Sequence, residues 1–216
     1  MAREGRVDGL LGLLSLCGYT PQYRALNALK SELGALDATA ENSSKCYLDV
    51  VAFPCNQFGY QEPSENFELL NTLKHVRPGY GFVPNFPLTG KLLVNGQSES
   101  PIFTFLKARC PSPFGLIANR SDITWTPIRN NDVSWNFSKW LIDHNGQPFR
   151  RYTPRTEPRL IQEDIKELLR ACEEEKQGVV KQQQQQQQQN ATAPANATET
   201  RNLQGKPRAR RTLIHN

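Results

Sequence analysis

Residues 47–63 read Tyr47-Leu48-Asp49-Val50-Val51-Ala52-Phe53-Pro54-Cys55-Asn56-Gln57-Phe58-Gly59-Tyr60-Gln61-Glu62-Pro63. The first seven are an apolar run of strand length, which predicts a buried strand over 47–53; Pro54, unable to donate to a ladder, ends it, and the next five residues leave as a turn. Upstream, the polar stretch 34–46 reads as a loop. Before it Tyr23, Leu26, Leu29 and Leu33 recur at helical spacing. Thr20-Pro21 opens that helix, a hydroxyl cap followed by proline at the first helical position. The apolar run 10–16 has strand length. Cys17 therefore falls in a strand-to-helix turn, where a helix dipole and free backbone N–H groups favour thiolate over thiol.

Downstream, a helix is predicted from about Ser64 with Phe67, Leu70, Leu73 and Val76 on one face, stopping before Pro78-Gly79. Strands near 82–88, a helix over about 101–109 and a long loop over 110–131 follow. Val133, Trp135 and Phe137 alternate with Ser134, Asn136 and Ser138, the pattern of a half-buried strand. Asn145-Gly146 signals a hairpin, with the returning strand at 149–153. A closing helix uses Leu160, Ile161, Ile165, Leu168, Leu169 and Cys172. The composition then changes to eight consecutive glutamines, 182–189, so a folded domain at 1–176 is expected to carry a disordered Gln-rich and basic extension at 177–216.

A chain of 216 residues suits one medium α/β domain. The formal charge of +5 equals the five positives Arg201, Lys206, Arg208, Arg210 and Arg211 near the end, which no aromatic interleaves, so nucleic-acid binding is not expected. No apolar run reaches the roughly 18 residues of a membrane helix, so no membrane association is expected. The five cysteines, Cys17, Cys46, Cys55, Cys110 and Cys172, show no metal-ligand spacing, and an odd count leaves at least one thiol unpaired. His75, His144 and His215 lie far apart, so no metal site is expected. Cys55 reads as structural; Cys46, Cys110 and Cys172 carry no assigned role.

In order along the chain come Cys17-Gly18-Tyr19-Thr20, Asn27-Ala28-Leu29, the stretch 53–63, Val76-Arg77-Pro78-Gly79 and Trp135-Asn136-Phe137. Over about seven tenths of its length this sequence resembles the glutathione peroxidase family. The resemblance implies an α/β, thioredoxin-like fold with a central mixed sheet flanked by helices. It also implies a peroxidatic Cys17, or selenocysteine if the letter stands for one, surrounded by Gln57, Trp135 and Asn136. Amides and an indole N–H are neutral donors, able to stabilise a thiolate and the charge developing on oxygen without competing as nucleophiles.

The implied activity is antioxidant reduction of hydrogen peroxide and organic hydroperoxides in response to oxidative stress. Glutathione is the co-substrate, and no cofactor is needed. No cysteine precedes Arg77-Pro78-Gly79 where thioredoxin-using relatives carry a resolving thiol, which favours glutathione. Arg77, Arg150 and Arg151 match the family's glutathione-contacting arginines, and the loop 110–131 resembles that of homotetrameric members. Only sixteen residues precede Cys17, so the family's N-terminal hairpin is expected to be missing. An inactive truncated relative acting as a redox-sensing or binding protein is the alternative. Asn-x-Ser/Thr sites and the Cys110-Pro111 context point to an extracellular location, the Arg150-Arg151 context to a cytoplasmic one.

Overall fold

The computed structural model describes residues 6–14, 18–34, 46–113, 115, 117 and 119–192. Its chain forms two compact units, Met1–Gly178 and Val179–Asn216. The first is built on a four-stranded mixed sheet of β1 (Arg6–Leu14), β2 (Tyr47–Pro54), β3 (Lys139–Ile142) and β4 (Pro148–Tyr152), in the order β2-β1-β3-β4. β1 runs parallel to β2 and antiparallel to β3, and β3 and β4 form the hairpin expected from Asn145-Gly146, whose glycine takes φ 77°. The helices are α1 (Pro21–Leu33), α2 (Leu69–His75), α3 (Pro101–Arg109) and α4 (Gln162–Thr192).

Alternation along β2 decides which helix packs where, because successive side chains point to opposite faces. Leu48, Val50 and Ala52 join Tyr23, Leu26 and Leu29 of α1 and Ile165, Leu168 and Cys172 of α4. Phe53 joins Phe103 and Leu106 of α3 on the other side, together with Trp140 and Ile142 of β3. A disulfide joins Cys46, just before β2, to Cys172 of α4, 126 residues later. Cys55 and Cys110 are free and buried.

Four local expectations change. The segment 82–88 is no strand: Pro84 and Pro87 withhold donors, leaving one parallel bridge between Ala52 and Leu88. The segment still lies along β2, with Ala52 N donating to Pro87 O at 3.0 Å and Leu92 N to Pro54 O at 3.0 Å. α2 starts only at Leu69, after a turn in which Glu68 Oε2 accepts from Glu65 N at 2.8 Å, and Leu69 and Leu73 are buried while Phe67, Leu70 and Val76 are exposed. Residues 133–137 precede β3 in a turn instead of forming a strand. The glutamine run, expected to lack structure, continues α4 to Thr192, as an unbranched side chain with good helix propensity permits. Residues 193–216 lie outside the described residues.

Candidate functional site

β2 delivers the chain at Pro54 into a turn with two consecutive residues in the left-handed region, Gly59 at φ 61° and Tyr60 at φ 54°. Gly59 suits this φ because it has no Cβ, and a Cβ there would only touch the Trp135 indole at an ordinary contact distance of 3.7 Å. Inside the turn Phe58 is fully buried between Trp125 and Trp135, with ring centroids 5.5 and 5.6 Å away. The turn closes where Asn56 Oδ1 accepts from Glu62 N at 2.9 Å and Phe58 O accepts from Gln61 N at 3.3 Å.

Gln57 and Gln61 thereby take different positions. The Gln57 amide is buried and committed to backbone: its Oε1 accepts from Val94 N at 2.7 Å and Asn95 N at 3.0 Å, and its Nε2 donates to Asn95 O at 2.9 Å. Asn95 in turn donates to Val133 O and accepts from Val133 N, at 2.9 and 2.8 Å. Gln57 thus braces the chain two residues before Trp135 and has no amide hydrogen-bonded to Trp135 or Asn136. Gln61 does face the second half of the site: its Oε1 accepts from Asn136 Nδ2 at 3.2 Å.

Trp135 and Asn136 sit in a turn that Phe137 completes at φ 61°, and Ser138 Oγ bonds Trp135 O at 2.8 Å. That left-handed residue is why the alternating pattern there does not make a strand. Asn136 is fully buried, with Oδ1 unpartnered, and Trp135 is half-buried. Cys17 lies outside the described residues. Both flanks of its segment are described: Leu14 pairs in register with Pro54, where the Gln61 turn departs, and the Tyr19 ring lies 6.2 Å from Phe137. Pro21 opens α1 as expected, without a side-chain cap bond from Thr20.

Burial pushes the Cys55 thiol up to about 12, and raises that of Cys110 against the opposing pull of Arg151, which disfavours the thiolate at both. Glu62, 2% exposed and with Oε1 unpartnered, is pushed up to about 7 by burial, against the opposing pull of Ser64 and Lys91.

Of the three candidate arginines, Arg77 is exposed just after α2. Arg150 and Arg151 are adjacent on β4 and so point to opposite faces. Arg150 pairs with Asp164 at 2.7 Å and is half-exposed. Arg151 is buried over the Trp140 ring and donates to Asn131 O at 3.1 Å and Asp132 O at 2.8 Å. Its guanidinium is therefore spent on the fold, which removes it from a glutathione-binding rim. Among the described residues no cluster of three His, Cys, Asp or Glu side chains could hold a metal ion.

The sequence profile of the glutathione peroxidase family matches residues 5–107. Glutathione peroxidase 2 of Mus musculus is 51% identical over 172 residues, which cover 77% of this chain and 85% of the relative. Epididymal secretory glutathione peroxidase of Sus scrofa is 45% identical over 155 residues, 72% of this chain and 66% of the relative. The crystal structure of T. cruzi GPX1 is 26% identical, covers 76% of this chain and 84% of its own, and superposes with a TM-score of 0.49.

Proposed function

The chain belongs to the glutathione peroxidase family, and on that premise we propose that it reduces hydrogen peroxide and organic hydroperoxides at Cys17, with Gln61, Trp135 and Asn136 as the surrounding donors. The observation that carries this reading is the hydrogen bond from Asn136 to Gln61. It joins the two turns that flank the ends of the Cys17 segment. Gln57 acts in this reading as the brace of one turn against the other, through Asn95 and Val133.

The Cys17 thiolate attacks one peroxide oxygen and the O–O bond breaks. The departing oxygen leaves as water or alcohol once protonated, and sulfur keeps the other as sulfenic acid. A first glutathione thiol condenses with the sulfenic acid, releasing water and forming a mixed disulfide. A second displaces Cys17 as thiolate and forms glutathione disulfide. Donors aimed at sulfur and at the leaving oxygen lower the first barrier. Arg77 and Arg150 are proposed as forks for the glutathione carboxylates.

The domain at 1–176 carries this antioxidant chemistry, and the loop 110–131 is proposed to build a homotetramer, to be checked by sedimentation. The Cys46–Cys172 disulfide supports an extracellular site of action, since such bonds persist in oxidising compartments. The test is peroxide consumption by the purified chain with glutathione as reductant. Turnover that a Cys17→Ser variant loses supports the reading, whereas turnover that survives in this variant overturns it. Intact mass reports whether sulfur or selenium occupies the position.

A further inference from the structure

We propose that Lys139 is a positioning residue for the peroxide-reducing step, its Nζ tying the turn at 135–137 to the first turn of α1; the inference rests on the peroxidase reading above. Lys139 opens β3 and is fully buried. Its Nζ donates to Phe137 O at 2.7 Å, and to Thr153 O and Pro154 O at 3.5 Å each. The bond to Phe137 O is well formed, and the two carbonyls that follow β4 stand at the outer limit of hydrogen-bond distance from the same nitrogen. All three acceptors are uncharged, and burial, with no carboxylate opposing it, pushes this group down to about 7. A buried amine without a counter-ion is a costly choice where a methionine would pack, so its placement against these carbonyls needs another account.

What the bonds hold is informative. Phe137 is the left-handed residue that finishes the turn presenting Trp135 and Asn136. Its carbonyl takes the shortest of the three bonds, and its ring packs edge-on against Tyr23 of α1, centroids 5.3 Å apart. Pro154 O, shared with Lys139, also accepts at 2.8 Å from Nε2 of Gln22, a buried residue in the first turn of α1. α1 is the helix that follows Cys17. Lys139, Pro154 O and Gln22 therefore form a buried bridge from the donor turn to the helix start behind the nucleophile. No other described side chain bonds the Phe137 carbonyl.

The bridge predicts which limb of the catalytic cycle depends on it. In a ping-pong reaction the second-order constants for peroxide and for glutathione are read separately from one set of initial rates. Loosening the donor turn misplaces Trp135 and Asn136 against sulfur, which lowers the peroxide constant; a shift of about 1 Å costs on the order of 100-fold. Lys139→Met is expected to lower the peroxide constant about 10- to 100-fold while the glutathione constant stays within about twofold. Loss of folded enzyme would instead lower both equally. Gln22→Leu, which removes only the second donor to Pro154 O, is expected to lower the same constant by a smaller factor, and serves if Lys139→Met does not fold. Equal loss in both constants, or no loss in either, for the variant that folds overturns the inference while leaving the peroxidase reading intact. Absence of any wild-type turnover would overturn that reading and this inference together.

Discussion

Removing the Cys46–Cys172 bridge gives a stability change whose size follows from the chain itself. The bond closes a loop of 126 residues. In the chain-entropy treatment, a cross-link over that length removes about 16 cal/mol/K from the unfolded ensemble, or about 5 kcal/mol at 25 °C. Both sulfurs are buried, and the bond joins the start of β2 to α4 through the cluster of Leu48, Ile165 and Leu168. Cys172→Ala should therefore lower the urea midpoint of the protein purified without reductant by about 2 M, for a slope of 2–3 kcal/mol/M. Reduction of the wild type with dithiothreitol should reproduce most of that shift. In denaturant the unreduced protein should titrate three thiols, Cys17, Cys55 and Cys110, and the reduced protein five. Turnover per folded molecule should be unchanged, since Cys46 stands at the opposite end of β2 from Pro54, where the site's turn departs. Coincident midpoints, or five thiols before reduction, would show that the bridge does not stabilise the fold or is not formed.

The two glutamines of one turn should separate cleanly: Gln61→Leu should keep the melting temperature and cut turnover about 100-fold. Gln57→Leu should instead cost about 2–4 kcal/mol in a denaturant melt, because Val94 N and Asn95 N lose their acceptor inside the protein. The two arginines of β4 should divide likewise. Arg151→Met should destabilise the fold by about 2 kcal/mol or more by stranding the Asn131 and Asp132 carbonyls, and Arg150→Ala should change stability by less than about 1 kcal/mol. Glu62, raised from 4.5 to about 7, binds its proton more tightly folded than unfolded, so its contribution is full below pH 4.5 and is lost as pH climbs through 7. Wild-type stability should fall by at most about 3 kcal/mol across that window relative to Glu62→Gln, and parallel profiles would exclude the assignment.

The elements that rest on local chemistry are legible in the sequence. Pro54 ends β2, Pro21 opens α1, and Asn145-Gly146 makes the β3–β4 hairpin, each fixed by what one residue can or cannot do with its backbone. Gln61 is harder to find, because Gln57 and Gln61 share a turn and the same chemistry. Only the left-handed pair Gly59 and Tyr60 settles which amide turns inward to the backbone of 94–95 and which meets Asn136; Gly59 is the one local signal. The alternation at 133–138 imitates a strand until Phe137 takes positive φ, held by partners distant in sequence. The Cys46–Cys172 pairing has no local signature at all, since the sheet and α4 bring together positions 126 residues apart. Arg151 reads as a surface fork beside Arg150, and only strand alternation, once β4 is known, turns it inward.

Which sulfur reacts decides the mechanism. One equivalent of hydrogen peroxide followed by one of glutathione, with acid quenching and peptide mass mapping, traps the intermediate directly. The expected result is a single glutathione adduct on the peptide carrying Cys17, absent in Cys17→Ser. An adduct on the peptides of Cys55 or Cys110, or an unmodified Cys17 after peroxide is consumed, would contradict it.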